Sequence, residues 1–101
     1  MKRTKVTFNN EKLQLSSNIV KALAHPLRLK ILEYIDRKGN VNVNKIYTAL
    51  KIEQSITSQH LRVLRMAGIV NSDKDGKFVH YAIDYSTIEK TVRALKNFQS
   101  Y

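Results

Sequence analysis

Ser55-Ile56-Thr57-Ser58-Gln59-His60-Leu61-Arg62-Val63-Leu64-Arg65-Met66-Ala67 stands directly before Gly68, and its spacing decides the fold. At about 100° per residue, Ile56, His60, Val63, Leu64 and Ala67 gather on one side, with Leu61 at their edge. Ser55, Ser58, Gln59, Arg62 and Arg65 fall opposite, and Thr57 lies on the rim. The pattern predicts an amphipathic helix over 55–67, capped by Ser55 and stopped by Gly68. Its outer face has a defined chemistry. Glutamine can bond adenine with two contacts, arginine can bond guanine or a phosphate, and serine can donate or accept at either. No carboxylate between Ser55 and Ala67 would repel phosphate. An ordinary helix with a solvated outside has the same polarity, so the flanking elements must decide.

Beyond Gly68, the runs 69–74 and 77–83 surround Asp75-Gly76, a dipeptide typical of two-residue hairpin turns. Val79, Tyr81 and Ile83 share one face, and Phe78, His80 and Ala82 share the other. A last helix is expected over 86–99, carrying Ile88, Val92 and Leu95. On the other side, Asn44 is a credible cap for a helix through Lys51, with Ile46, Tyr47 and Leu50 inward, and 52–54 form a tight connection. Val41-Asn42-Val43 suits a minimal edge strand. Pro26 fits the first turn of a helix ending at Gly39, and His25 before it favours extended backbone. Leu27, Leu29, Ile31, Leu32 and Ile35 spread around that helix, as expected of one buried on several sides. Leu13, Leu15, Ile19, Val20 and Leu23 predict a first helix over 10–24, after a flexible basic arm at 1–9. The fold class is therefore mainly α with a small β-hairpin. Two short helices joined tightly and followed by a hairpin describe a winged helix-turn-helix, in a single domain over 10–101.

Charge narrows the function. Eighteen Lys and Arg against eight Asp and Glu leave +10 on 101 residues, a field that favours polyanions. The wing is expected to touch a nucleic-acid backbone through Lys74 and Lys77. Asp73 and Asp75 at the same tip oppose that, so a purely structural hairpin remains open. The absence of cysteine excludes disulfides and thiolate metal sites within the chain. No apolar run approaches the roughly 18 residues needed to span a bilayer, and no signal-peptide core follows the charged N-terminus. A soluble, cytoplasmic protein without membrane contact is expected. Catalysis finds no phosphate-binding glycine loop or Gly-x-Ser-x-Gly elbow, and Glu11, Glu33 and Asp36 read as solvated helix charges. His25, His60 and His80 have no spacing suited to a shared metal, so no cofactor or metal is expected. His25 reads as a helix-boundary residue and His80 as an exposed strand residue.

Three motifs carry a family resemblance. Leu23-Ala24-His25-Pro26-Leu27-Arg28-Leu29-Lys30-Ile31-Leu32 resembles the opening signature of the ArsR-type winged-helix regulators. The stretch from Ser55 to Val70 resembles their recognition helix and the turn after it, and Gly76 to Ile83 their wing strand. The resemblance spans about 15–98. It implies a homodimer built from the first and last helices, binding a pseudo-palindromic operator and usually repressing. It also implies DNA contacts from Ser55, Thr57, Ser58, Gln59 and Arg62, with His60 on the inner face suited to packing or to a phosphate. The family's metal-sensing cysteines match Asn42 and Asn44 here, and the ligand positions of its last helix match Tyr85, Thr87, Phe98 and Tyr101. None of these is a good soft-metal ligand.

The expected function is a sequence-specific, double-stranded-DNA-binding transcription regulator. It would be a homodimeric repressor reading the major groove with 55–67, through Ser55, Thr57, Ser58, Gln59, Arg62 and Arg65, with Lys74 and Lys77 on the wing. Helices 10–24 and 86–99 are expected to join the two copies. The alternative is a winged-helix module that binds a protein partner without duplex specificity.

Overall fold

A computed structural model describes residues 10–99, and the side chains of residues 17–93. The chain runs α1 (Asn10–Leu23), α2 (Pro26–Lys38), β1 (Val41–Asn42), α3 (Val43–Leu50), α4 (Gln54–Met66), β2 (Val70–Asp75), β3 (Phe78–Ile83) and α5 (Tyr85–Gln99). The strands form one antiparallel sheet in the order β1-β3-β2. This is the expected winged helix-turn-helix, with β1 as the short edge strand. The arm expected at 1–9, and the side chains of Leu13, Leu15 and Leu95, lie outside the described residues.

The helix α2 lies at the centre. It packs against α1, α3, α4 and β3, and its Ile31, Leu32 and Ile35 are buried. Ile19 and Ala22 of α1, Val41 of β1, Ile46 of α3, and Leu61 and Leu64 of α4 complete one cluster with Ile69 and Val70. The apolar spread along α2 is broader than the core needs: Leu29 remains 51% exposed. Val20 of α1 is also largely exposed.

Local chemistry moved several boundaries. Asn42, not Asn44, caps α3: its backbone is extended, and its Oδ1 accepts from Lys45 N–H at 2.9 Å. Val43 consequently belongs to the helix and not to the strand. The α5 helix begins at Tyr85, where Asp84 Oδ1 accepts from Thr87 N–H at 3.2 Å. The hairpin turn is Gly76-Lys77, because Asp75 still pairs with Phe78. Gly76 takes φ 62° while Lys77 is not among the positive-φ residues, the pattern of a II′ turn. Glycine at the first central position therefore sets the turn, and Lys77 moves from the strand to its apex.

One ending positions the site. After α4, Gly68 N–H donates to Arg65 C=O at 3.0 Å, and Ile69 N–H to Leu64 C=O at 2.9 Å. Together with φ 77° at Gly68, these bonds make a Schellman motif, which favours glycine at the left-handed residue. Leu64 and Ile69 are both fully buried beside it. The end of α4 and the start of the hairpin are thus one unit.

Candidate nucleic-acid interface

The inner line of α4 is Thr57, Leu61 and Leu64, each with no exposed surface. Compared with the axis drawn from apolar residues alone, the helix is turned by roughly a fifth of a turn. Ile56 and Val63, expected inside, flank the buried line at 36% and 37% exposure. Thr57, placed on the rim by sequence, sits at its centre. Its Oγ1 donates to Glu53 C=O at 3.0 Å, so its hydroxyl is satisfied within the helix and its methyl joins the core. Thr57 is therefore withdrawn from the candidate contacts.

The helix starts one residue earlier than expected. Glu53 occupies the cap position with extended backbone, and its side chain makes no capping bond. Ser55 lies inside the first turn, which leaves its hydroxyl exposed instead of committed to a cap. Ser55, Ser58, Gln59, Arg62 and Arg65 are all exposed. Turning the helix brings Ser55, Gln59 and Arg62 to the most outward line, with Ser58 and Arg65 on its flank. Met66 continues that outward line and is 73% exposed.

Three residues on two helices fix the orientation of this face. His25 is the cap of α2, its Nδ1 accepting from Leu27 N–H at 3.2 Å. Arg28 Nε donates to His60 Nδ1 at 3.2 Å, and its Nη1 donates to Ala22 C=O at 3.2 Å and Lys21 C=O at 3.4 Å. One guanidinium thus ties the C-terminal carbonyls of α1 to α4. The His25 and His60 rings lie with centroids 4.6 Å apart. Burial, followed by the nearby His25 and Arg28, lowers the His60 pKa from its ordinary value. The inward packing expected of His60 and the boundary role of His25 agree with this geometry. Sequence reading missed that they meet, and missed Arg28, because the contact joins residues 32 apart. His80 differs from its expected exposed position: it is half-buried on the central strand, paired with Asn42 and Asp73.

The hairpin projects Lys74 and Lys77, both exposed. Pairing sets Asp73 opposite His80, Lys74 opposite Val79 and Asp75 opposite Phe78. Strand alternation therefore separates the charges, with Lys74 on the face shared by Tyr81 and Ile83 and the two aspartates on the other. At the far end of the fold, the Tyr85 hydroxyl donates to Asp36 Oδ1. That bond holds the phenol protonated above its ordinary range and links α5 to α2, so Asp36 does more than face solvent.

A family model described as "Bacterial regulatory protein, arsR family" matches residues 25–72, from the histidine cap to the start of the hairpin. The transcriptional repressor PagR of Bacillus anthracis is 31% identical over 87 residues, covering 86% of this chain and 87% of that protein. This chain belongs to the ArsR family of bacterial regulatory proteins. An HTH-type transcriptional regulator of Methanocaldococcus jannaschii is 35% identical over 83 residues, 82% of this ArsR-family chain and 93% of that protein. The crystal structure of PagR matches with a TM-score of 0.72 at 30% identity, over 86% of this chain and 99% of that one. An ArsR-like regulator from Rhodococcus sp. RHA1 shares the fold with a TM-score of 0.83 at 23% identity, over 89% of this chain and 84% of that one. The Arg28–His60 contact and the Schellman ending both fall inside the segment that matches the family model.

Proposed function

We propose that this ArsR-family regulator is a cytoplasmic, non-catalytic homodimeric repressor that places α4 in the major groove of an operator. The observation that carries this reading is the outward line Ser55, Gln59 and Arg62, on a helix whose opposite side is locked by Thr57, Leu61 and Leu64. Gln59 and Arg62 would read base edges, while Ser55, Ser58 and Arg65 would meet bases or phosphates. Lys77 at the turn apex and Lys74 beside it would add backbone contacts. The net charge of +10 supplies long-range attraction.

Dimerisation through α1 and α5 is supported by their surfaces. The two helices lie against each other, and Val20 and Val92 on them remain 41% and 44% exposed. A two-fold pair would present two reading helices about 34–36 Å apart, one helical turn of DNA. The relatives named as repressors support repression as the direction of control.

Selection of bound duplexes from a random pool tests the reading. Enrichment of a pseudo-palindrome, with affinity falling steeply as salt rises, is the expected result. Failure to retain any duplex at low salt would overturn it.

A further inference from the structure

A cavity of about 370 Å³ opens between α1 and the C-terminal half of α4, within the range of about 300–1,000 Å³ typical of small-ligand sites. Its apolar lining comes from Ala22, Val63, Met66 and Ala67, and Lys21 and Arg62 supply positive charge. Arg28 also borders it, already engaged by His60 and the carbonyls of α1. No carboxylate is among these lining residues. Met66, at 73% exposure, and Val63, at 37%, leave hydrocarbon uncovered on this side of α4.

We propose that this groove binds a small amphipathic anion: an apolar chain or ring ending in a single carboxylate. The apolar lining offers nothing to a bare phosphate, which the two cations alone would attract as well elsewhere on this basic surface. It suits a hydrocarbon tail, and Lys21 with Arg62 suits the anionic head. The cationic rim also opposes a second copy of a chain whose net charge is +10. Arg62 belongs to both this groove and the outward line of α4, so an anion seated here opposes DNA binding. That last consequence rests on the proposed DNA-reading role; occupancy of the groove does not.

The site is tested on the whole, DNA-free protein by following backbone amide resonances during titration with decanoate. Decanol supplies the same tail without the charge. Saturable shifts clustered at Lys21, Ala22, Val63, Met66 and Ala67 are expected with decanoate, with affinity for decanol lower by about tenfold or more. Met66→Glu, on an exposed side chain, should abolish those shifts and retain the melting temperature. Lys21→Gln should weaken decanoate and leave decanol unchanged. Equal response to both probes, shifts scattered elsewhere, or groove resonances that respond only to protein concentration would overturn the proposal. The last outcome would assign the groove to contact between copies. With an operator in hand, decanoate should displace the duplex from the native protein at lower concentration than from Lys21→Gln, whose substitution lies on α1 and off the proposed DNA-facing line. A duplex retained at saturating decanoate would overturn the competition and leave the site itself intact.

Discussion

Arg28 Nε and His60 Nδ1 stand 3.2 Å apart, with the guanidinium as donor and the ring as acceptor. The neutral ring with its proton on Nε2 is the form that makes this bond. Protonating Nδ1 would turn the acceptor into a donor facing another donor, beside His25.

This geometry sets a pH dependence. The folded pKa of His60 lies below its ordinary 6.5, so on acidification the unfolded chain takes up this proton first. The contribution of His60 is complete above pH 6.5 and is lost as pH falls from there through the lower folded value. Urea midpoints should therefore decline from about pH 7 to about pH 5, and His60→Asn, which keeps an acceptor without titrating, should flatten the decline. An equal slope in both proteins would refute the assignment.

The two sides of α4 should separate in mutagenesis. Gln59→Ala and Arg62→Ala should each reduce discrimination between operator and random duplex by about 1–3 kcal/mol. Thr57→Val should keep that discrimination and cost about 1 kcal/mol of stability through loss of the hydroxyl bond to Glu53. Competition binding against random duplex, alongside chemical denaturation, reads both. Loss of specificity in Thr57→Val with normal folding would contradict the burial of that side chain.

Wing lysines should act without regard to sequence. Lys77→Ala should weaken operator and random duplex by similar factors and lower the logarithmic salt slope by about 1. A salt titration of the affinity checks this, and an unchanged slope would mean that the apex meets no phosphate.

Two left-handed residues predict opposite outcomes. Gly68→Ala should destabilise by about 1–2 kcal/mol through φ 77° alone, since the nearest atoms to an added Cβ belong to Thr87 at 3.9 Å. Lys51 holds φ 56° at the end of α3, where Lys51→Gly should stabilise by about 0.5–1 kcal/mol. Thermal melts would reveal both signs.

What could be read from sequence followed local rules. Helix periodicity, Pro26 and the glycines located the elements, and the family motifs placed them in a known order. The rotation of α4 was not legible, because counting apolar residues treats threonine as polar. Thr57 satisfies its own hydroxyl and then packs as a hydrocarbon. Asn44 reads as the cap of α3 when Val41-Asn42-Val43 is taken as the strand, and only the pairing that stops at Asn42, opposite His80, shows that Asn42 ends the strand and caps the helix. The bracket of His25, Arg28 and His60 depends on how α2 crosses α4, which no local pattern encodes. Of the candidate contacts, Ser55, Ser58, Gln59, Arg62 and Arg65 share the exposed side of one helix, and Lys74 and Lys77 stand apart on the hairpin.

Alternation along β2 gives the hairpin tip a transverse polarity. With two aspartates and two lysines near the apex, its formal charges cancel, so the tip adds little net pull toward a polyanion. It can still experience a torque, because Lys74 and the aspartates lie on opposite faces of a thin ribbon. A phosphate surface would roll the ribbon toward its lysine side and disfavour the inverted approach. The wing would then act as a vane, selecting the angle at which the whole domain settles more than the strength with which it stays.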